Sequence, residues 1–292
     1  MKPYLSLFLV LLISSSSCSL LEEADNEDFN NELISSKFYS PGFQLATGSS
    51  HTCIVFFGII RCWGSNFYGQ LGNGTTDTSY TPVTVTGIST GIGIATGDVH
   101  SCAVLSSGSV QCWGYNDAGQ LGIGTTVNRS STPVTVTGIS TAIAVSAGQQ
   151  YSCAVLSSGS VQCWGSNNYG QLGNGTAVNS STPVTVTGIS TAIAVSAGNG
   201  FTCALLSSGG VQCWGGGSYG QLGNGTMNSS STPVTVTGIS TAKTISTGGI
   251  NTHTCVGLSK TSLNVQCWGT NAGGKLGDGT NIDRSTPVTI TF

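Results

Sequence analysis

Ten of the eleven cysteines form five pairs: Cys53 with Cys62, Cys102 with Cys112, Cys153 with Cys163, Cys203 with Cys213, and Cys255 with Cys267. The second member of each stands directly before Trp-Gly. Paired thiols can cross-link, hold a metal, or remain reduced in a core. Structural zinc knuckles space their ligands two to four residues apart, and no second Cys or His pair recurs near these pairs. Cross-linking is therefore the expected chemistry, with reduced thiols and a metal as the competing readings. Disulfides persist in oxidising compartments, so this reading also points to export.

The other candidate chemical groups offer less. His51, His100 and His253 share one repeat position, two residues before the first cysteine of a pair, and Tyr151 and Phe201 fill it in the other repeats. A site that accepts Phe does not ligate metal or carry protons, so it is expected to fill space or make one local hydrogen bond. Asp77, Asp98, Asp117, Asp278 and Asp283 fall in loop-like text with no motif pairing two of them. General acid–base catalysis requires positioned groups with tuned pKa values. The Gly-Gln-Leu-Gly-Asn-Gly-Thr segments lack the Lys-Ser/Thr ending of a phosphate-binding loop, and no serine occupies a nucleophile elbow. The expectation is no enzyme, no cofactor and no metal.

The elements that position these residues follow from their period. Trp63, Trp113, Trp164, Trp214 and Trp268 recur at intervals near fifty, in a chain of 292 residues with 43 glycines and 7% charged residues. Such a period, with Gly and an aromatic in every unit, is that of propeller blades or a related β-repeat, and no long stretch has helical apolar periodicity. The third repeat divides into four β-rich segments: A (Ala142–Ala147), B (Tyr151–Leu156), C (Ser160–Trp164) and D (Pro183–Thr187). Pro183 suits a strand start or an outer edge, where a missing N–H does least harm. If Cys153 faces Cys163, the B–C loop is Ser157-Ser158-Gly159, a three-residue hairpin with Gly in the left-handed place. The first repeat has a two-residue Phe57-Gly58 loop, and the last lengthens around Lys260-Thr261-Ser262, yet the cysteines stay opposed. Opposed antiparallel residues lie within disulfide reach.

Residues 1–17 read as a signal peptide: Lys2, an apolar run from Leu5 to Ile13 too short to span a bilayer, then small residues. Cys18, the one cysteine outside the pairs, follows in the manner of a bacterial lipobox, with Ser15 where Leu is usual. Ordinary cleavage near Ser17 to Ser19 is the competing reading. Residues 18–37 then read as a lipidated cysteine and an acidic flexible tether, holding six of the eleven acidic residues, and 38–292 as the repeat array. The array itself is nearly neutral, with no basic cluster to neutralise phosphates, which disfavours nucleic acid as a partner.

The repeats resemble those of the RCC1 (regulator of chromosome condensation) family. The resemblance rests on His-Thr-Cys at 51–53, His-Ser-Cys at 100–102, the Cys-Trp-Gly triplets, and Gly-Gln-Leu-Gly-Asn-Gly-Thr at 69–75, 170–176 and 220–226. It covers roughly residues 42–292. It implies an all-β propeller of four-stranded blades. The familiar member has seven, so five repeats read as a five-bladed or incomplete ring. The family's nuclear member exchanges nucleotide on a small GTPase and binds chromatin. An exported chain without a basic surface carries over the fold and not that activity.

In an antiparallel A-B-C-D blade the A–B and C–D loops emerge at one end, and the B–C and D–A turns at the other. Differences between repeats concentrate in the A–B and C–D loops. That face is expected to bind a protein through Phe67, Tyr115, Asn116, Asp117, Gln149, Gln150, Asn167 and Asn168, since Tyr with Asn and Gly is adaptable contact chemistry. Tyr68, Tyr169 and Tyr219 share one position before Gly-Gln-Leu-Gly, where packing between blades competes with contact. The expected protein is an exported, lipid-anchored binding or adhesion module of a bacterial outer membrane or cell surface, with a secreted or periplasmic location as the alternative. An RCC1-like exchange or regulatory protein and a structural surface repeat without a specific ligand are the rivals.

Overall fold

The computed structural model describes residues 43–248, 252–258, 264–290 and 292. These form twenty strands in five antiparallel sheets of four, each in simple sequence order. Blade 1 holds β1 (Phe43–Thr47), β2 (His51–Phe56), β3 (Ile59–Gly64) and β4 (Ser79–Thr84). Blade 2 holds β5 (Gly91–Thr96), β6 (His100–Leu105), β7 (Val110–Tyr115) and β8 (Arg129–Thr135). Blade 3 is β9 (Ala142–Ala147), β10 (Tyr151–Leu156), β11 (Val161–Gly165) and β12 (Ser180–Thr185). Blade 4 is β13 (Ala192–Ala197), β14 (Phe201–Leu206), β15 (Val211–Gly215) and β16 (Ser230–Thr235). Blade 5 is β17 (Thr244–Thr247), β18 (His253–Gly257), β19 (Val265–Gly269) and β20 (Arg284–Thr289).

The cysteines sit face to face on the two central strands of every blade, with Cα separations of 4.0–4.1 Å. Cys53 is disulfide-bonded to Cys62, and Cys102 to Cys112. Cys153 is bonded to Cys163, Cys203 to Cys213, and Cys255 to Cys267. The paired cysteines are therefore cross-linked and not reduced. On the C strands, Cys62, Cys112, Cys163, Cys213 and Cys267 are all buried, so each bridge lies inside the core beside its Trp.

The hairpins are those the counting requires. Gly159 takes φ 82° after Ser157-Ser158, while blade 1 turns in two residues with Phe57 at φ 47° and Gly58 at φ 83°. The long turn around Lys260 lies outside the described residues. Strand D departs from expectation: it begins at Ser180, and Pro183 stands inside it. Strand β12 pairs only with β11, so it is the outer edge. A register shift between Cys163 and Gly165 brings Ser180 opposite Gly165 and starts the strand early. An outer edge tolerates the absent N–H. Strand C likewise runs Val161–Gly165, one residue later than the sequence suggests.

The core lies between successive blades. Alternation along β10 sends Tyr151, Cys153 and Val155 toward blade 4, where they meet Ala204 and Trp214. Each buried indole donates across the interface to the preceding blade. Trp113 bonds the Gln70 carbonyl at 2.9 Å, Trp164 Gln120 at 2.9 Å, Trp214 Gln171 at 2.8 Å and Trp268 Gln221 at 3.0 Å. Ser101, Ser152 and Thr202 add hydroxyl bonds to the first three of those carbonyls. The Trp-Gly motif thus joins blades, while its cysteine staples one. Packing runs from blade 1 to blade 5 in order, and among the described residues blade 5 does not return onto blade 1. The ring is open.

Candidate functional site

The A strands lie innermost, and their A–B loops crowd together at one end. A Cβ on Gly97 would come within 2.3 Å of the Gly148 carbonyl, and one on Gly48 equally close to that of Gly97. Only glycine permits this approach of backbone to backbone. The loops ring a depression of about 350 Å³ whose polar lining includes Ser49, Asp98, Gln149 and Asn199. Beside it lies a smaller hollow of about 200 Å³, walled by Tyr68, Asp98, Val99, Tyr115, Gln149 and Gln150. Asp98 borders both and is the one charged residue lining either. One of its oxygens accepts from Ser49 Oγ at 2.5 Å.

The tyrosine wall is built by cross-blade contact. Tyr68 and Tyr115 meet edge to face with ring centroids 4.7 Å apart. Tyr115 Oη donates to Asp117 Oδ2 at 2.6 Å, and this bond, then burial, then the charges of Asp117 and Tyr68 raise the phenol above its usual pKa. Arg129 Nη1 donates to the Phe67 carbonyl at 2.9 Å, fixing the loop that leaves the Phe67 ring 69% exposed. Gln149 and Gln150 line the smaller hollow, and Asp117 and Asn168, like them, are exposed.

Two expected contact residues do not belong to this surface. Asn116 and Asn167 are fully buried. Their Oδ1 atoms accept from the Leu121 and Leu172 amides at 2.9 Å, and their Nδ2 atoms donate to the Thr125 and Thr176 carbonyls. Asn66 and Asn271 do the same in blades 1 and 5. An Asn five residues before the Leu of four repeats was the available signal for a loop staple. Asp278 is structural in the same way: bonds from Thr280 above all, with Arg284 and Asn271, hold its carboxyl well below the usual range. Tyr169 and Tyr219 are more exposed than packing between blades would leave them, although Tyr169 lies against Gly200 of the next blade. Ser49 lines the larger depression although residue-type reasoning passed over it, and Asp98, weighed there only as a loop carboxylate, borders both hollows.

His51 and His100 behave as the repeat comparison implied, except that their bonds reach across blades. His51 Nε2 meets Ser101 Oγ at 2.8 Å, and His100 Nε2 meets Ser152 Oγ at 2.9 Å. Tyr151 reaches Phe201's carbonyl and Thr202 in the same manner. On the opposite face, the turn hydroxyls pair with each other, Ser107 with Ser109 and Ser158 with Ser160, both at 2.7 Å. Among the described residues no three His, Cys, Asp or Glu side chains converge as a metal site.

A family model described as the RCC1-like domain matches residues 22–292. The ultraviolet-B receptor UVR8 of Arabidopsis thaliana is 33% identical over 137 residues, covering 45% of this chain and 31% of the receptor. Among solved structures, human WBSCR16 superposes with TM-score 0.75 at 24% identity, over 85% of this chain and 67% of that one. Yeast RCC1 (Prp20), solved bound to Kap60, gives 0.73 at 18% identity, over 85% and 61%. A second Prp20p structure from Saccharomyces cerevisiae, whose binding to Gsp1p and histones was also described, gives 0.72. At these identities the solved structures speak for the fold alone. The chain spans about a third of the receptor's length and about six tenths of yeast RCC1's.

Proposed function

The chain belongs to the RCC1-like domain family, and on that premise we propose that it is an exported, lipid-anchored module that binds a protein through its A–B/C–D face. The observation that carries this reading is the contrast between the two ends of the blades. One end has adjoining hollows walled by Tyr68, Tyr115, Gln149 and Gln150 around the Asp98 carboxylate, with Phe67 standing free beside them. The other presents Ser-Ser-Gly turns in which the second serine bonds the serine after the glycine, Ser107 with Ser109 and Ser158 with Ser160. Exposed aromatics among short polar side chains lose little conformational entropy on binding and form the usual anchors of protein contacts. The yeast RCC1 structures are described with Kap60, Gsp1p and histones as binding partners of that protein, which supports a protein partner here.

Export is supported by the five disulfides, which survive where glutathione does not reduce them. The signal peptide, Cys18 and the tether lie outside the described residues. An anchor at Cys18 would keep the array at a membrane surface, where a partner could meet it.

A photo-activatable phenylalanine analogue at position 67 or 149, and at 158 as control, tests the face in intact cells. Cross-links to one protein from 67 and 149 and none from 158 are expected. Cross-links from 158 alone would overturn the assignment. Tyr115→Ala and Asp98→Asn should each weaken capture of that protein about tenfold or more, as expected for central anchors.

A further inference from the structure

Among the described residues, blade 1 has a sheet face that no other blade covers. Cys53 and Val55 point into the core shared with blade 2, so Thr52, Ile54 and Phe56 point outward on β2. Their ladder partners Thr47, Leu45, Phe43, Ile59, Trp63 and the exposed Arg61, which stands opposite Ile54, share that face. In blades 2 to 4 the equivalent residues are covered: Ala103, Ala154 and Ala204, standing where Ile54 does, are fully buried, as are Trp113, Trp164 and Trp214. In blade 1, Phe43 is 62% exposed, Leu45 52%, Phe56 50%, Phe57 71% and Ile59 45%.

A terminal repeat normally carries a polar outer face, because nothing shields it. Blade 1 departs from its sister repeats in the opposite direction. Ile54 replaces Ala, Phe56 replaces Leu, and Ile59 stands where Ser109, Ser160 and Gly210 stand. The hairpin departs too. Phe57 occupies a left-handed position, φ 47°, in a two-residue turn whose favoured pair is Asn-Gly. Its ring meets that of Phe56 edge to face, with centroids 4.4 Å apart. A strained, exposed aromatic at a turn tip contributes nothing to this blade's own fold that Asn would not supply better.

We propose that this face pairs with the same face of a second copy about a twofold axis. Another blade of this repeat is a poor occupant. The internal interfaces seat Ala and Ser where blade 1 presents Ile54 and Ile59, and added bulk overpacks such a seat. Twofold pairing turns the second arc away from the first and asks only for a self-complementary surface, which apolar side chains set around Arg61 can provide when the axis offsets the two guanidinium groups. At about 200 Å² per large apolar side chain, the five exposed residues offer roughly 550 Å². Two such faces reach about 1,000 Å², the lower bound of a specific interface.

Sedimentation equilibrium of the full chain carrying Cys18→Ser, so that no lipid contributes mass, tests this. A concentration-dependent species of twice the 29.5 kDa monomer is expected. Restoring the sister-repeat residues with Ile54→Ala and Ile59→Ser should weaken the dimer at least tenfold. Phe57→Asn should weaken it as well while raising the melting temperature of the monomer, a combination that a merely structural Phe57 would not give. Tyr115→Ala, on the loop face, should leave it unchanged. A strict monomer up to about 100 μM, a dimer indifferent to all these blade 1 changes, or one abolished by Tyr115→Ala would overturn the proposal.

Discussion

His51 and His100 show how a repeat position that looks chemical becomes a pH liability. Each imidazole is buried against the next blade, and burial lowers the pKa of His51 to about 4 and of His100, with a smaller push from the charge of His51, to about 3. The unfolded chain protonates near 6.5, so between that pH and the folded values it binds more protons than the native state does. Stability is thus fully present above about 6.5 and falls as the pH drops toward 4. At pH 5 the loss is about 2 kcal/mol for each histidine. Phe201 fills the same place in blade 4. His100→Phe is expected to cost about 1 kcal/mol at pH 7, through the lost bond to Ser152, and to flatten the decline between pH 7 and 5. Melting temperatures of both proteins across that range check it, and parallel declines would refute it.

At the scale of the element, the second glycine of Gly-Gln-Leu-Gly is where sequence pattern and packing meet. A Cβ on Gly122 would lie 2.8 Å from the Trp164 indole of the next blade, at φ 71°. Gly138 has a similar φ, 75°, and open space around it. Gly122→Ala should therefore cost about 2–4 kcal/mol, backbone strain plus a displaced indole, and Gly138→Ala only about 1. Denaturant midpoints of the two variants decide it. The hairpin and its register were legible because Cys153 and Cys163 must oppose each other whatever the turn length. The same holds for Cys53 and Cys62 across a shorter turn, and for Cys255 and Cys267 across a longer one. The start of strand D was not legible, since a bulge opposite Gly165 decides it and no residue type encodes that shift. Asn116 was misread for a different reason: beside the changing Tyr115 and Asp117 it looked like part of a variable surface. Its constancy with Asn66, Asn167 and Asn271 reflects a backbone amide that needs an acceptor. The wall of the hollow was legible in Tyr115, Gln149 and Gln150, because the A–B and C–D loops must share one end; the place of Asp98 between two hollows was not, because loops fifty residues apart build it.

At the scale of the whole molecule, the five disulfides decide where this fold can exist. Each closes a loop of about ten residues, worth roughly 2–3 kcal/mol in denatured-state entropy. Each blade also buries its core only against its neighbours, so a weakened blade weakens the next and the losses accumulate along the array. Five closures amount to on the order of 10 kcal/mol, comparable with the whole stability of an ordinary domain. The chain is therefore expected to fold when exported and to fail in a reducing cytoplasm. Intact mass of the mature protein, with and without reduction, tests this along with the anchor. Reduction should add about ten hydrogens, two for each of the five disulfides, and a diacylglycerol on an N-terminal Cys18 should appear as a fixed increment in both spectra. A folded array with every one of these thiols free would instead place the chain inside the cell and revive the exchange-factor reading. An unlipidated terminus beyond Cys18 would leave the disulfides in place and make the protein a secreted one.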